Sequence, residues 1–313
     1  MANARGRSTL ERLESRVNQL PLLPDVVVAL LRLDPLADDY FDRVAALVRA
    51  DPAFAMRLLR FANSASLAAA RPVGTIDQAL MLVGCRGAVE LVLGHSAMRV
   101  FVPQHDWERD LWRHAFDVAC LMQAFAAMVA SRPMDARKAY LFGLLHDIGR
   151  FILYLEAPDE LRRVDETSWS TPQELIDAET AICGFTHAEL GYLAVRKWRL
   201  PEELAEVVRD HHLSPGDPRL APLRPVIQLI QDADWLSMTL AVHQDLWRSL
   251  ATAELLARMA PRDLRARYGL ADESLLDLVR RALQHSVHMQ QSLGIAATDQ
   301  STRAEPTSPR QRR

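Results

Sequence analysis

A chain of 313 residues is long enough to form one large domain or two modest ones with a buried core. Hydrophobic residues make up 49% of the sequence and charged residues 25%, which is typical of globular proteins. The net charge of −3 gives no global electrostatic attraction to nucleic acid, so composition does not favour a nucleic-acid-binding protein.

The three cysteines, Cys85, Cys120 and Cys183, lie far apart and form no CxxC pair. A disulfide framework or a cysteine zinc site is therefore not expected, and a reducing cytoplasm is the expected compartment. The first residues are polar and no apolar segment follows them. No apolar run approaches the roughly 20 residues that span a bilayer. We therefore expect a cytoplasmic protein without a membrane span.

Signals for helix starts recur along the whole chain. Most combine a capping side chain with a proline at the first helical position, or with Glu or Gln three residues later. The segments that follow have apolar residues at helical spacing. The predicted starts are Ser8 with Glu11, Asp25 before a helix over 26–33, Asp51-Pro52, Thr75 with Gln78 before a helix over 80–83, Thr171-Pro172, and Leu200-Pro201.

Strand signals are weak, since the sequence has no sustained period-two alternation and no Asn-Gly or Asp-Gly turn. Only 12 glycines are present, and none forms a phosphate-binding loop. We also find no internal repeat. The sequence therefore predicts an all-α fold.

The segment from Pro103 to Trp107 is interpreted as a linker between two helical halves. We expect an N-terminal helical subdomain that packs Leu58, Leu59 and Phe61 inward. After residue 297 the composition turns to Ser, Thr, Pro, Gln and Arg, which predicts a disordered tail. The expected divisions are 10–102 for the first subdomain, 104–240 for a second helical bundle, 241–296 for a helical extension and 297–313 for the tail.

The sharpest chemical feature is a His-Asp doublet, His146-Asp147, within an otherwise apolar helical stretch. Burying an unpartnered polar group costs about 1–3 kcal/mol, and a charge costs more. Imidazole nitrogen and carboxylate oxygen together suit divalent transition metals, so a metal site is one explanation. The other is that both residues cap neighbouring helices, and the doublet alone does not decide between them.

Other candidate ligands occur along the chain, although each by itself is more typical of an ordinary core or surface residue. They are His114, His187, His211, His212, and one of the pair Asp232 and Asp234. We assign the remaining histidines to the ordinary class, namely His95, His105, His243, His285 and His288.

The order His114, His146-Asp147, Asp234 resembles the H…HD…D signature of the HD superfamily of metal-dependent phosphohydrolases. In that family the first histidine, the doublet and the last aspartate bind a divalent metal on a helical scaffold. The resemblance therefore implies the same ligand set here. The implied cofactor is Fe, Mn, Zn or Mg, with a metal-free site as the alternative.

Three further histidines, His187, His211 and His212, resemble the extra histidines of the HD-GYP branch. That branch hydrolyses cyclic di-GMP and binds two or more metals. The resemblance thus implies a second ion held by these residues, close to the first.

A closer resemblance is to the HDOD family, and it covers roughly residues 13–240. The segment 20–24, Leu-Pro-Leu-Leu-Pro, resembles its opening LPxLP motif, and the segment 51–65 resembles its DPxL…RLLRLANSA helix. The motifs over 143–149 and 184–191 follow in the expected order. This resemblance implies an all-α, multi-helical fold with an N-terminal helical half and an HD-like bundle.

Two features depart from the active relatives. The segment 213–216 follows His211-His212 in place of the Gly-Tyr-Pro loop of the cyclic di-GMP hydrolases. Arg150 stands where active relatives usually carry Lys, although Arg can also hold a phosphate, and bidentately. HDOD proteins are generally regarded as lacking established catalysis. The resemblance therefore implies a signalling output module whose partners are kinases, response regulators or components of cyclic-dinucleotide pathways.

The residues support three functional interpretations. In a module acting by protein contact, Asn63 is the candidate interaction residue, although Asn also favours helix ends and could merely cap its helix. In a phosphohydrolase acting on a nucleotide or cyclic dinucleotide, Asp147 would bind metal and orient a water, while Arg150 would balance phosphate charge.

Nucleic-acid binding would rest on the arginines near the C-terminus. Acidic residues lie among these arginines and no aromatic platform accompanies them, so this interpretation is weaker. These arginines are Arg258, Arg262, Arg265 and Arg267.

Overall fold

The computed structural model of the chain describes residues 13–20, 24–63, 72–129, 134–167, 169, 171–214, 216–241, 251–259 and 263–295. All regular structure in these ranges is helical, which confirms the predicted all-α class. None of the described helices is long and apolar enough to cross a membrane. The capping box expected at Ser8 and Glu11 and the tail expected over 297–313 lie outside the described residues.

The described helices of the first half are α1 (13–19), α2 (Asp25–Leu31), α3 (Tyr40–Ala50), α4 (Pro52–Ala62) and α5 (Ile76–Val100). The second half continues with α6 (Asp106–Ala126), α7 (Ala136–Leu145), α8 (Ile148–Glu156), α9 (Pro158–Asp165), α10 (Pro172–Cys183), α11 (His187–Lys197), α12 (Glu202–Asp210) and α13 (Arg224–Ala241). The last helices are α14 (Thr252–Met259), α15 (Leu264–Tyr268) and α16 (Asp272–Leu293). A short 3-10 turn, Pro218–Leu220, precedes α13.

Three predicted helix starts, at Asp51, Thr75 and Thr171, are confirmed at the level of the capping atoms. The carboxylate of Asp51 accepts a hydrogen bond from the backbone N–H of Ala53, at 2.8 Å. Thr75 Oγ1 accepts from the N–H of Gln78, at 3.2 Å. Thr171 does the same at the start of α10. Each side chain satisfies a donor that the first turn of a helix leaves free.

Some predicted boundaries were wrong. Asp25 is the first residue of α2 rather than its cap, because Pro24 occupies the capping position, and the helix ends at Leu31. The helix expected over 80–83 continues to Val100, with a kink at Gly84, whose φ of 78° is accessible mainly to glycine. The kink divides α5 without ending it.

The linker predicted over residues 103–107 ends earlier than expected. Helix α6 begins at Asp106, because Glu108 Oε2 accepts from the N–H of His105, at 2.8 Å, and completes a capping box. Trp107 is therefore helical.

Within the first half, α4 packs against α5 and buries Leu58 and Phe61, as expected. Leu59 is only half-buried, so the expectation that it points inward was wrong in part. Leu58 and Phe61 are three residues apart and share one helix face, whereas Leu59 is turned about 100° from Leu58.

Helix α6 forms the centre of the second half, where it packs against α7, α13 and α16. The approach of α7 depends on Gly143, because a Cβ at that position would lie 2.6 Å from Ala119 Cα. Trp112 and Phe116 of α6 are fully buried. Helix α6 also carries His114, so this packing fixes one of the candidate ligands.

Helix α16 contacts α6 and also α4 and α5 of the first half. Its His285 Nε2 lies 2.6 Å from Glu90 Oε2 on α5. Its Ser286 hydroxyl donates to the carboxylate of Asp117 on α6, at 2.5 Å. Polar bonds from one helix thus join the two halves of the chain.

Candidate metal centre

The His-Asp doublet lies at the junction of two helices, where His146 ends α7 and Asp147 precedes α8. The side chain of Asp147 makes no capping hydrogen bond to α8, so capping does not account for it. His146 Nδ1 lies 2.8 Å from the carbonyl oxygen of Gly143, which orients the ring. Both residues are buried.

Two glycines allow α8 and α11 to approach closely and bring His187 beside Asp147. A Cβ on Gly149 would lie 1.9 Å from the carbonyl oxygen of His187, which no real Cβ contact allows. A Cβ on Gly191 of α11 would lie 3.1 Å from Ile148 Cγ2 and 3.2 Å from the backbone nitrogen of Gly149, both on α8.

His187 is the first residue of α11 and is fully buried. The chain turns from α10 to α11 at Gly184, whose φ of 81° is left-handed. Thr186 and Glu189 then form a capping box. On the preceding helix, Glu179 accepts hydrogen bonds from the backbone N–H and from Nδ1 of His187, at 2.8 and 2.7 Å.

The two adjacent histidines His211 and His212 follow α12 directly. His211 Nδ1 lies 2.8 Å from the carbonyl oxygen of Val208. The side-chain amide of Gln231 donates to the carbonyl oxygens of His211 and Leu213, both at 2.8 Å. The backbone that carries both rings is thereby tied to α13.

One group of potential ligand atoms comprises Asp147, His187, His211 and His212, and these atoms all lie within 4.8 Å of one another. Asp147 Oδ1 is 3.2 Å from His187 Nε2 and 3.3 Å from His211 Nε2. His212 Nε2 is 3.0 Å from His187 Nε2. Ligand bonds of about 2.0–2.2 Å to one tetrahedral ion would separate such atoms by roughly 3.4 Å.

A second group comprises His114, His146 and Asp234, again with potential ligand atoms within 4.8 Å of one another. His114 Nε2 is 3.2 Å from Asp234 Oδ1. The groups adjoin, because His114 Nε2 is 3.9 Å from Asp147 Oδ2 and His146 Nε2 is 3.6 Å from Asp147 Oδ1.

Only one of the two aspartates of α13 faces these groups. Asp232 is fully buried and accepts hydrogen bonds from the guanidinium of Arg267 and from the hydroxyl of Tyr268. Asp234, two residues later and turned about 200° around the helix, faces His114 instead.

Each of four histidines has its Nδ1 beside a fixed polar group, which leaves Nε2 to face the centre. The partners are Gly143 O for His146, Val208 O for His211, Glu179 for His187 and, at 3.0 Å, the hydroxyl of Ser237 for His114. Carbonyl and carboxylate oxygens only accept, so they assign the proton to Nδ1. Metal-binding histidines are oriented by such partners.

The electrostatics keep both carboxylates ionised. Burial raises the pKa of Asp147, but His146 and His187 outweigh it and hold that pKa well below its usual value. Burial lowers the pKa of His146 to about 4 and lowers that of His212 as well, so both rings are neutral at pH 7. Burial also acts on His187, but Glu179 and Asp147 prevail and raise its pKa to about 10. A cation that binds must therefore displace a proton from His187.

The donor set fits a divalent transition metal. Among the described residues, the buried His146 Nε2 has no partner in hydrogen-bonding geometry. Unsatisfied buried polar atoms are rare and costly, and an unseen ion is one of their ordinary explanations. Neutral imidazoles and ionised carboxylates are suitable ligands for Zn, Mn and Fe.

Both groups form part of the wall of a cavity of about 370 Å³. Trp107, Trp169 and Trp235 supply aromatic surface to the same cavity. Arg150 lines it too, but its guanidinium donates to Asp165 at 2.6 Å and lies over the ring of Trp169. Thus the arginine proposed to balance a phosphate is already paired.

Asn63 is not among the residues that meet at this centre. It ends α4, and its Nδ2 donates to the carbonyl oxygens of Leu59 and Val73, at 2.8 and 2.9 Å. Its Oδ1 accepts from the N–H of Val73, at 2.8 Å. The side chain therefore joins the end of α4 to the segment that leads into α5.

The described histidines of the ordinary class, His95, His105, His285 and His288, lie outside both groups. His95 is buried and packs edge-on against Phe54, His105 stacks on Trp107, and His285 pairs with Glu90. His243 lies outside the described residues.

The C-terminal arginines form ion pairs with acidic side chains. Arg258 contacts Glu254, Arg265 contacts Asp272, and Arg267 contacts Asp232. Arg262 lies outside the described residues. These pairings give no support to a nucleic-acid-binding surface.

Sequence reasoning missed Glu179, Ser237 and the three tryptophans of the cavity. Glu179 precedes His187 by eight residues, but the left-handed turn at Gly184 lies between them, so no helical or strand periodicity relates the two side chains. Ser237 follows Asp234 by three residues on α13, so helical spacing could have placed both on one face.

The profile of the HDOD domain matches residues 20–214 of the chain. An uncharacterized protein of Treponema pallidum (strain Nichols) is 25% identical over 279 residues, which make up 88% of this chain and 51% of that protein. The chain thus spans about half the length of this curated relative.

Several solved structures share the fold. An HDOD domain protein of Geobacter sulfurreducens aligns with a TM-score of 0.66 at 22% identity, covering 93% of this chain and 99% of that one. A Shewanella amazonensis protein provisionally named a phosphohydrolase aligns with a TM-score of 0.66 at 23% identity, covering 90% and 97%. A Marinobacter aquaeolei protein provisionally named a signal transduction protein aligns with a TM-score of 0.68 at 20% identity, covering 92% and 66%. At these identities the likeness establishes the fold alone.

Proposed function

Because this chain belongs to the HDOD family, we propose that it is a signal-transduction module that carries a divalent-metal centre and acts by contact with signalling proteins. The observation that carries the proposal is the convergence of five histidines and two aspartates in two adjoining, largely buried groups. Such a centre costs free energy unless its polar atoms find partners, and a bound cation supplies them.

In this proposal, one ion is held by Asp147, His187, His211 and His212, and a second by the group of His114, His146 and Asp234. A bound divalent metal supplies positive charge and Lewis acidity at the cavity wall. The protein orients the imidazoles through their Nδ1 partners and keeps both carboxylates ionised.

Arg150 favours contact over strong catalysis. Its guanidinium is buried, bonded to Asp165 and stacked on Trp169, so it is not free to follow the charge of a reacting phosphate. Among the described lining residues it is the one arginine or lysine. No second cationic side chain of the described lining can take its place beside a reacting phosphate, so contact is preferred over rapid turnover.

The proposed output is transmitted through α16 to the first half of the chain. Asp117, one turn after His114 on α6, is bonded to Ser286, and the neighbouring His285 is bonded to Glu90 on α5. Occupancy at His114 can therefore bias the surface that the N-terminal helices present to a partner. The signalling name of the Marinobacter aquaeolei structure agrees with this role.

A second candidate function is a metal-dependent phosphohydrolase acting on a nucleotide or cyclic dinucleotide. The observation that favours it is that the two ligand groups and Arg150 line one cavity of about 370 Å³. In this reading Asp147 orients the attacking water, and Arg150 leaves Asp165 to bind a phosphate oxygen.

One experiment tests the metal centre and separates the two candidates. The purified full chain is analysed for bound metal and then incubated with a panel of cyclic and linear nucleotides while phosphate release is followed. We expect stoichiometric metal and no turnover in the usual enzyme range of about 1–1000 per second. Turnover in that range would replace the contact proposal with the second candidate.

The variant H146A/D147A should lose the metal. The matched control is H288A/D277A, which removes a histidine and an aspartate from α16 outside both ligand groups. Metal retained by H146A/D147A at the level of the control would place the ions elsewhere. Partner contact is tested by cross-linking both variants to candidate response regulators and kinases.

A further inference from the structure

Glu179 lies outside both ligand groups, yet its carboxylate is fully buried and directed entirely at one candidate ligand. Its Oε2 accepts from the backbone N–H of His187 at 2.8 Å and from Nδ1 at 2.7 Å. Its Oε1 is also 2.8 Å from Nδ1. Burying a carboxylate costs free energy because the charge loses its hydration. Packing alone therefore does not explain why Glu179 is buried with all of its hydrogen bonds to His187.

The backbone bond fixes the position of His187. As the first residue of α11, His187 has an N–H that the helix itself leaves without a partner. Glu179 on α10 satisfies it, which ties the start of α11 to α10 across the turn at Gly184. The Cα of His187 is thereby held independently of any ion.

The side-chain bond fixes the ring. A carboxylate only accepts, so the hydrogen-bonding proton is on Nδ1 and the ring plane is held by the shared contact of both oxygens. Nε2 then faces Asp147 Oδ1 at 3.2 Å and His212 Nε2 at 3.0 Å. The ring of His187 thus lies between the carboxylate of Glu179, which is outside the centre, and that of Asp147, which belongs to it.

We propose that Glu179 is a positioning residue that holds His187 in the Nδ1-protonated tautomer, with Nε2 aimed at the metal centre. This inference rests on the proposed metal-binding function, and it names a residue that acts on the centre through His187 without contacting an ion. A carboxylate behind a ligating imidazole also increases the electron density that the ring gives to a cation.

The test combines two readouts on the full chain loaded with Zn²⁺. The first is the imidazole N–H spectrum of ¹⁵N-histidine-labelled protein, in which the Nδ1–H signal of His187 is identified by its loss in H187Q. The second is Zn²⁺ affinity measured by competition with a chromophoric chelator. The variants are E179Q, E179A and, as the matched control, E189Q, because Glu189 lies in the first turn of α11 and is bonded to Thr186 instead of His187.

The three variants should differ in a graded way. In E179Q the amide oxygen still accepts from Nδ1, so the Nδ1–H signal persists while the lost charge weakens Zn²⁺ binding about tenfold. In E179A the ring loses its partner, so the Nδ1–H signal broadens by exchange and affinity falls about 100-fold. E189Q retains the capping geometry of α11 and should match the wild type in both readouts.

The outcomes separate this inference from the function on which it rests. Wild-type protein that binds no Zn²⁺, Mn²⁺ or Fe²⁺ would overturn the metal centre itself and this inference with it. Zn²⁺ binding by the wild type, with unchanged affinity and N–H spectrum in both Glu179 variants, would overturn only the positioning role. If E179A does not fold, as judged by circular dichroism, the near-isosteric E179Q decides: unchanged affinity overturns the inference and a tenfold loss upholds it.

Discussion

Nε2 of His187 lies 3.0 Å from Nε2 of His212, with Asp147 Oδ1 3.2 Å from the former. Two imidazole nitrogens at this distance repel unless a proton or a cation lies between them. A divalent ion satisfies His187, His212 and Asp147 at once. Because an ion that binds the folded chain stabilises it, metal removal should lower the stability of the fold as well as empty the centre.

We expect a chelator to lower the melting temperature. A ligand at 100 times its dissociation constant stabilises the folded state by about 2.7 kcal/mol, which for a chain of this size corresponds to roughly 4 °C. Thermal unfolding followed by circular dichroism, with EDTA and after Zn²⁺ or Mn²⁺ is restored, measures the shift. A melting temperature that neither EDTA nor added metal changes would contradict the prediction.

Substitutions of the two aspartates on α13 should affect different properties, one the metal content and the other the stability of the protein. D234N removes a potential ligand beside His114, so we expect loss of metal with little change in the metal-free melting temperature. D232N removes the charge that pairs with Arg267 and leaves one amide oxygen to accept from Arg267 or Tyr268, so it should cost about 1–3 kcal/mol of unfolding free energy while the ligand set is preserved. Metal analysis and denaturant unfolding of both variants provide the measurement. Loss of metal in D232N with full metal binding in D234N would show that Asp232 is the ligand and contradict the prediction.

This pair also shows how far the sequence could be read. The order of histidines and aspartates predicted which residue types would meet, because each motif lies at a helix end or on one helix face. It left Asp232 and Asp234 as alternatives, since a shift of two residues turns a helix by about 200° and only the packing of α13 decides which side faces the centre. The role of Glu179 could not be predicted from the sequence, because its contact with His187 depends on the turn at Gly184. The helical class and most helix starts could be predicted, since capping is local, whereas the continuation of α5 through Gly84 could not.

Gly149 should be intolerant of any side chain. A Cβ there would lie 1.9 Å from the carbonyl oxygen of His187, so G149A must push α8 away from α11 and separate Asp147 from His187. We expect a loss of about 1–3 kcal/mol, as in other overpacked cores, together with weaker metal binding. The matched control is G74A, because no atom lies within 4 Å of a Cβ at that position. Equal stability of the two variants would show that α8 and α11 are not held at this separation.

His95 should make the stability of the first half depend on pH. Burial, with Arg57 and Arg99 nearby, lowers the pKa of His95 to about 4, from an ordinary value of 6.5. Between these values the unfolded chain binds the proton and the folded chain does not. The contribution of neutral His95 is therefore complete above pH 6.5 and declines as the pH falls from 6.5 to 4. Denaturant midpoints measured across this range for wild type and H95Q, both in EDTA, should show a smaller decline in H95Q.

Asn63 provides the last prediction, because its side chain makes two donor bonds and one acceptor bond to backbone groups of Leu59 and Val73. These bonds use the amide nitrogen twice and its oxygen once, so we expect N63A to lower the unfolding free energy by about 1–2 kcal/mol, the net contribution of a few partly exposed hydrogen bonds. N63D keeps the acceptor for the N–H of Val73 but loses both donors, and should fall between N63A and the wild type. Partner binding is then measured at a temperature where all three proteins are folded. If partner binding decreases in the same order as stability, Asn63 acts structurally by holding the segment between α4 and α5. If partner binding is lost in both variants while stability is unchanged, Asn63 contacts the partner.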